Sequence, residues 1–244
     1  MHMRLDQYLA TSLGSRTRAA DAIKAGRVSV NGQVITKPAF DMNLDDQIEV
    51  QQIEHDYVSR AGGKLAAAYD AFSIDTLNQV VLDIGASTGG FTQCALEHGA
   101  KKVYALDVGH LQLNETLAQD CRVVKMEGVN ARGMQKEWFE ETIDFICMDV
   151  SFISAITILE PVFEQFVPLH CVILCKPQFE CGPKALNKKG VIRHVKYEKE
   201  ALEKLTLFLK RYYKTVKSIP SPVVGRKGNQ EYVLYAKGRR LFDD

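Results

Sequence analysis

The stretch from Val80 to Asp107, VVLDIGASTGGFTQCALEHGAKKVYALD, limits the possible fold more than any other part of the chain. Val80, Val81, Leu82 and Ile84 form a near-continuous apolar run, the pattern of a strand buried on both faces of a parallel sheet. The run closes on Asp83 and a glycine-rich turn, in which Gly85, Gly89 and Gly90 let the backbone tighten and let a ligand come close to it. Helix resumes at Phe91, and after Gly99 a second apolar strand, Val103 to Leu106, ends at Asp107. A carboxylate at that point can accept hydrogen bonds from two vicinal ribose hydroxyls, so the unit reads as a nucleoside-binding crevice. The spacing G-x-x-x-G-G is neither a dinucleotide-binding G-x-G-x-x-G nor a phosphate loop, which needs Gly-Lys followed by Ser or Thr. An acidic residue beside the first glycine and another closing the next strand suit a ribose with a cationic amino-acid tail, and S-adenosylmethionine fits that description best. The candidate donor-binding residues here are Asp83, Gly85, Ser87, Gly89, Gly90, Phe91 and Asp107.

With 244 residues and 46% hydrophobic content, the chain is long enough for one α/β domain and a small second module. Its net charge is only +1, but the distribution is uneven. Residues 184 to 244 carry sixteen Lys/Arg against six Asp/Glu, an asymmetry that points toward a polyanion. The six cysteines lie mostly in apolar strand or helix patterns with no C-x-x-C pair. They read as buried thiols in a reducing compartment, and no metal site is expected. There is no signal peptide, and no uncharged apolar run approaches the roughly 18 residues of a membrane span, so the expectation is a cytoplasmic protein with no membrane partner.

At the start of the chain, Leu5, Tyr8 and Leu9 make one helical face, and Ser15 can cap a second helix that carries Arg16, Arg18 and Lys24 and stops at Gly26. Val28 and Val30, then Asn31-Gly32, then Val34 and Ile35 read as a hairpin closed by a primed turn. A linker is expected over 54–59, and then SRAGGKLAAAYDAF reads as a helix capped by Ser59, with Leu65, Ala68 and Phe72 on one side. Gly62 and Gly63 cost that helix up to about 1 kcal/mol each relative to alanine, which suggests that something packs close to both. On spacing alone Lys64 is an exposed helical lysine.

Beyond Asp107 the alternation continues. A third strand, Arg122 to Met126, leads to Glu127 and Asn130, placed where adenine or its ribose could be hydrogen-bonded. A fourth, Ile143 to Met148, ends in Asp149-Val-Ser151-Phe152, and a helix covers 154–166. A fifth, Cys171 to Cys175, ends in Lys176-Pro177-Gln178-Phe179-Glu180. A helix around Lys199 to Tyr213 precedes two late strands, Thr215 to Ile219 and Tyr232 to Ala236, with Glu231 opening the last. Ligand crevices of open parallel sheets lie at the carboxyl ends of the strands, where Asp83, Asp107, Asp149 and Lys176 all fall.

A lysine and an aspartate at neighbouring strand ends beside a methyl donor suggest deprotonation of a weakly acidic nucleophile such as a ribose 2′-hydroxyl. A free lysine, with pKa about 10.4, is a poor base at neutral pH, so the chemistry calls for desolvation or a second cation nearby. Lys64 could supply that cation, with Asp149 and Glu231 orienting the ammonium groups. Each of these residues also has a plain structural reading, as a helix cap, a strand-end charge or a sheet-edge ion pair.

The opening R-L-D, the S-R-x-x-A helix and the G-x-V-x-V-N-G hairpin resemble the compact RNA-binding module first seen in a small-subunit ribosomal protein. That resemblance implies that Arg4, Arg16, Arg18, Lys24 and Arg27 face RNA phosphates. VSRAGGKL, DIGASTGGFT, DVGHLQL, NARG, DVSFIS, KPQFE and GNQEY, in this order, resemble the TlyA (haemolysin-A-like) ribosomal RNA 2′-O-methyltransferases, relatives of the FtsJ-type enzymes. The family's Lys-Asp-Lys-Glu tetrad matches Lys64, Asp149, Lys176 and Glu231, with Lys176 as the base. The resemblance also assigns Asp83, Gly85, Gly89, Asp107, Glu127 and Asn130 to the donor. Some relatives carry a tryptophan just before V-S-R, where this chain has Tyr57.

The expected architecture is therefore α/β: a Rossmann-like S-adenosylmethionine-dependent methyltransferase sheet at 60–244 and a small N-terminal α+β RNA-binding module at 1–53. The expected partner is ribosomal RNA or a ribosomal subunit, with cytidine as the nucleotide the family suggests. Rival readings are a non-catalytic ribosome-assembly factor and a membrane-active haemolysin. Base methylation would favour Asn-Pro-Pro-Tyr where Asp149-Val-Ser-Phe stands, and cytosine C5 chemistry would need a catalytic cysteine such as Cys175.

Overall fold

The computed structural model describes residues 2–51, 57–225 and 227–240. The chain divides into two compact units, Met1–Asp56 and Tyr57–Asp244. Within the expected linker, residues 54–56 lie outside the described residues. Tyr57, by contrast, is packed in the core of the second unit.

The first unit contains β1 (His2–Arg4), α1 (Leu5–Tyr8), α2 (Arg16–Lys24), β2 (Val28–Val30), β3 (Gln33–Val34), β4 (Asp41–Asn43) and β5 (Ile48–Val50). Strand β1 pairs antiparallel with β4, and β2 lies between β3 and β5. Ser15 caps α2 as expected, its hydroxyl accepting the Arg18 N–H at 3.1 Å. The Asn31-Gly32 turn has φ of 50° and 79°, the two positive values a primed hairpin turn requires. Leu5, Leu9, Ile23, Val28 and Met42 form the core.

The second unit contains α3 (Ala61–Phe72), β6 (Val80–Ile84), α4 (Gly90–Glu97), β7 (Lys102–Asp107), α5 (Glu115–Ala118), β8 (Val123–Glu127) and β9 (Phe145–Met148). It continues with α6 (Ala155–Gln165), β10 (His170–Cys175), α7 (Pro177–Glu180), α8 (Val195–Lys210), β11 (Tyr213–Pro220) and β12 (Tyr232–Arg239). Among the described residues, seven strands form one sheet in the order β11-β12-β10-β9-β6-β7-β8. The five strands from β10 to β8 are parallel; β12 runs antiparallel to them, and β11, paired antiparallel with β12, returns to their direction. Because β12 runs backwards, its first residue, Tyr232, pairs with Cys175, the last residue of β10. Glu231 is thereby brought to the strand end that presents Lys176.

The central strands are buried on both faces, which is why their sequences are apolar without alternation. Leu82, Ile84, Ile146 and Ile173 pack with α6 and α8 on one face, and Val81, Phe145, Cys147 and Val172 pack with α3 and α4 on the other. Each fully buried aliphatic side chain contributes on the order of 1.5–3 kcal/mol. Helix α8 starts at Val195, four residues before the expected start, and buries Ala201, Leu205, Phe208 and Leu209, the i, i+4, i+7, i+8 stripe of an amphipathic helix. Ser59 does not cap α3: Arg60 occupies the N-cap position with no capping hydrogen bond from its side chain, and the Ser59 carbonyl accepts the Gly62 N–H at 3.1 Å. Among the described residues no helix is long and apolar enough to cross a membrane.

Candidate active site

Lys64, on α3, is buried at 6% exposure, the opposite of the spacing-based expectation. Its ammonium donates to Glu231 Oε2 at 2.7 Å and to Asp149 Oδ2 at 3.4 Å. The other Asp149 oxygen, Oδ1, is ion-paired with Lys176 Nζ at 2.5 Å. The four residues thus form one chain of alternating charge, Glu231, Lys64, Asp149, Lys176, drawn from α3 and the ends of β9, β10 and β12. Two cations and two anions nearly removed from water are tolerable only because each is paired.

Lys176 Nζ also donates to Ser151 Oγ at 2.8 Å. The segments after β9 and β10 are joined by further contacts. Glu180 accepts from the Ser154 hydroxyl at 2.5 Å and from the Ala155 N–H at 2.6 Å, placing a carboxylate at the N-terminus of α6. Phe152 and Phe179 meet with ring centroids 5.2 Å apart. Phe152 has φ of 67°, rare for an aromatic residue, and is 89% exposed. Sequence reasoning assigned no role to Ser151, Phe152 or Glu180, although all three lie inside motifs that it singled out.

The glycine turn is also closely packed against the rest of the unit. A Cβ on Gly85 would lie 2.7 Å from the Asp149 carbonyl oxygen. One on Gly89, where φ is 97°, would lie 2.4 Å from Leu117 and 2.8 Å from Leu113. One on Gly90 would lie 2.3 Å from Ser59 Oγ and 2.9 Å from the Gly62 nitrogen. At all three positions the protein's own packing fills the space a side chain would need. Gly62 likewise faces the Tyr57 ring, whereas nothing lies within 4 Å of a Cβ on Gly63, so the expectation of close packing holds for one of that pair only.

Two of the expected donor ligands are sealed inside. Phe91 is part of the core against α3. Asp83 is fully buried and accepts the Thr92 hydroxyl at 2.7 Å, and its other oxygen has no partner. Burial raises the Asp83 pKa to about 7. Two further carboxylates, Asp107 and Glu127, stand on adjacent strand ends as register partners of β7 and β8. Asp107 accepts the Ser87 N–H at 2.8 Å and the Gly109 N–H at 2.7 Å. Glu127 accepts the N–H groups of Leu111, Gln112 and Leu113 at 2.8–3.0 Å, and these backbone bonds hold its pKa down at about 2. Asn130 is exposed and caps a short turn through the Arg132 N–H.

In the first unit, Arg4 and Arg16 both bind buried Asp6, at 2.8 Å and 3.2 Å, rather than projecting unattached. The hydrogen bond from Arg4 is the main reason that the Asp6 pKa falls to about 2. Lys24 is exposed at the end of α2 and Arg27 is half-buried just before β2. Four cysteines are buried, but Cys121 is exposed and Cys181 half-buried, so the expectation of buried thiols holds for the strand and helix positions.

A mostly parallel sheet with a carboxylate pair and a Lys-Asp-Lys-Glu network at its strand ends defines an α/β transferase-type site. The FtsJ-like methyltransferases match residues 57–238, and the S4 domain matches residues 3–48. The chain belongs to the FtsJ-like methyltransferase family. It is 45% identical to hemolysin A of Brachyspira hyodysenteriae, over 96% of this chain and 99% of that protein. It is 36% identical to the 16S/23S rRNA (cytidine-2′-O)-methyltransferase TlyA of Mycobacterium tuberculosis, over 91% of this chain and 84% of that one. A solved hemolysin-named structure from Streptococcus thermophilus superposes with a TM-score of 0.74 at 34% identity, covering 96% of this chain and 87% of that one.

Proposed function

We propose that this methyltransferase moves a methyl group from S-adenosylmethionine to a ribose 2′-hydroxyl of ribosomal RNA, with Lys176 as general base. The observation that carries the reading is the buried ion network of Lys64, Asp149, Lys176 and Glu231 at the carboxyl ends of the sheet. The relative from M. tuberculosis, whose name specifies cytidine 2′-O-methylation of 16S and 23S rRNA, favours cytidine as the substrate nucleotide. Residues 57–244 carry the chemistry, the first unit supplies RNA affinity through its arginines, and the enzyme works in the cytoplasm, where ribosomal subunits are found.

The residues present fit the donor. A carboxylate has about four acceptor sites. Asp107 uses two on Ser87 and Gly109, which leaves capacity for ribose hydroxyls. Glu127 holds the 111–113 backbone as one wall of the crevice, and exposed Asn130 offers an amide to the base. Asp83 and Phe91, both buried, support the loop from beneath. When bound, the donor supplies an electrophilic methyl group, and transfer then depends on alignment and on removal of the hydroxyl proton.

A lysine nitrogen has three directions for hydrogen bonding. Ser151 takes one of them on Lys176, and the ion-paired Asp149 carboxylate lies beside the nitrogen, which leaves a direction for the incoming 2′-hydroxyl. The acting base is the neutral amine: its lone pair takes the hydroxyl proton as the oxygen bonds to the methyl carbon and the donor's sulfur–methyl bond breaks, so Lys176 ends as the ammonium paired with Asp149. Asp149 fixes the position of the nitrogen, and Glu231 balances the charge of Lys64 so that Asp149 is shared between the two lysines.

The deciding experiment is transfer of labelled methyl groups to unmodified ribosomal subunits, with wild type and Lys176→Ala compared and the product mapped by resistance to alkaline hydrolysis. Ribose label with wild type alone, and equal donor binding by both proteins, is the expected result. A fully active Lys176→Ala variant would remove lysine from the mechanism.

A further inference from the structure

The segment 181–197, CGPKALNKKGVIRHVKY, carries five Lys/Arg and no Asp/Glu in seventeen residues. It is not a loose tail. Leu186 and Ile192 form an antiparallel bridge, and the tip between them is closed by the Asn187 side chain, which accepts the N–H groups of Lys189 at 2.9 Å and Val191 at 3.0 Å. Gly190, at φ of 77°, completes the turn. The tip is fastened to the 225–231 loop by one buried side chain. Asn229, 4% exposed, accepts the Ile192 N–H at 3.0 Å and donates to the Gly190 carbonyl at 3.0 Å.

This clasp gathers Lys188, Lys189 and Lys227. A Cβ on Gly190 would lie 3.2 Å from Lys227 Nζ, so that amine sits against the tip carrying the other two. All three lysines are exposed, and among the described residues none is ion-paired. Holding like charges together without a counter-charge costs free energy unless an anion is present. The same loop is built against the catalytic network. The Asn229 carbonyl accepts the Gly225 N–H at 2.8 Å, and a Cβ on Gly225 would lie 2.8 Å from Glu231 Oε1.

We propose that Lys188, Lys189 and Lys227 form a phosphate-binding rim for the RNA strand that carries the target ribose, with Asn229 as its positioning residue. The proposal rests on the RNA methyltransferase reading and adds to it a substrate contact within the second unit. A strand held at this rim runs beside the loop that supplies Glu231, so phosphate contact and delivery of the ribose to Lys176 share one scaffold. Contacts of this kind are blind to sequence and sensitive to salt.

The test is equilibrium binding of a fluorescently labelled 15-nucleotide single-stranded RNA of mixed sequence to the full chain across a salt series, which does not depend on methyl transfer. The proteins compared are wild type, Lys188→Gln/Lys189→Gln/Lys227→Gln, the corresponding triple Arg variant, and Lys176→Ala. Three lost phosphate contacts should weaken binding by about tenfold or more and flatten the slope of log K against log salt by ~2. The Arg variant should bind like wild type, and wild type and the two triple variants should unfold at the same temperature. Unchanged affinity and slope in the Gln variant would overturn the rim, whatever Lys176→Ala does to transfer. Displacement of the RNA by poly-L-glutamate at equal charge concentration would overturn it in favour of an acidic protein partner. Inactivity of wild type on ribosomal subunits, with the rim effect intact, would count against the methylation reading alone.

Discussion

Lys64 and Glu231 are 167 residues apart in the sequence and meet at 2.7 Å, with both side chains buried. Removing one partner strands a charge in the interior, which costs about 3–5 kcal/mol, whereas replacing both with apolar groups of similar shape is often close to neutral. Glu231→Ala should therefore lower stability by that amount and abolish transfer. Lys64→Met combined with Glu231→Leu should recover most of the stability and none of the activity. Denaturant unfolding of the three proteins checks the first statement, and methyl transfer checks the second.

Ser151 is exposed and its hydroxyl accepts from Lys176 Nζ at 2.8 Å. A hydrogen bond to a charged group contributes about 1.5–3 kcal/mol. Ser151→Ala should lower kcat by roughly tenfold or more, because the lysine loses the hydrogen bond that orients it. Donor affinity and the unfolding midpoint should not move. A drop in stability equal to the drop in activity would mean that Ser151 acts only on the fold.

Phe152 combines a positive φ with an aromatic face open to solvent beside Ser151. Stacking of an unpaired base on such a ring contributes about 1–3 kcal/mol. Phe152→Tyr should keep the KM for RNA near that of wild type. Phe152→Gly should raise it by roughly fivefold to a hundredfold while leaving the protein as stable or more so, since glycine is at ease at φ of 67°. Loss of stability without a change in KM would limit the ring to its packing against Phe179.

Stability against pH contains two opposing contributions. Burial raises the Asp83 pKa from 3.8 to about 7, so below 3.8 the group costs nothing, and stability is lost as pH rises toward 7. Burial lowers the His170 pKa from 6.5 to about 4, so its contribution is complete above 6.5 and is lost as pH falls toward 4. Between pH 5 and 6.5 the two slopes have opposite signs, each up to about 1.4 kcal/mol per pH unit, and they nearly cancel. Asp83→Asn should expose a stability that rises with pH over this window, and His170→Gln one that falls. Denaturant midpoints at four or five pH values would show whether both slopes are present.

The sequence made the strands, the division into two units and the strand-end positions of Asp149 and Lys176 readable, because apolar runs and their terminating charges are local signals. Lys64 was not readable from its own neighbourhood. Its partners lie 85 and 167 residues away, and only the motif resemblance singled it out. The glycines show the opposite failure. Gly85, Gly89 and Gly90 were plain to see, but the sequence does not say what occupies the space where each side chain would be. The antiparallel entry of β12, which carries Glu231 to Lys64, is a matter of sheet order and leaves no local trace either. Burial of Asp83 and Phe91 was hidden for the same reason, since both sit in a stretch whose every residue looked equally near a ligand.

Two helical glycines bring this contrast between space and sequence to a measurement. Gly90 opens α4 where it crosses α3, and a Cβ there would lie 2.3 Å from Ser59 Oγ and 2.9 Å from the Gly62 backbone nitrogen. Ser59 can rotate away, but the backbone of α3 cannot, so Gly90→Ala must push apart the two helices. Overpacking of this kind costs about 1–3 kcal/mol. Lys64 rides on α3 two residues beyond Gly62, so the shift should also disturb its bond to Glu231 and lower kcat more than the KM for either substrate. Gly63→Ala meets nothing within 4 Å and should instead stabilise α3 by up to about 1 kcal/mol with activity unchanged. Thermal unfolding and steady-state kinetics on the two variants separate these outcomes. Equal behaviour of the pair would mean that the α3 and α4 contact does not position Lys64.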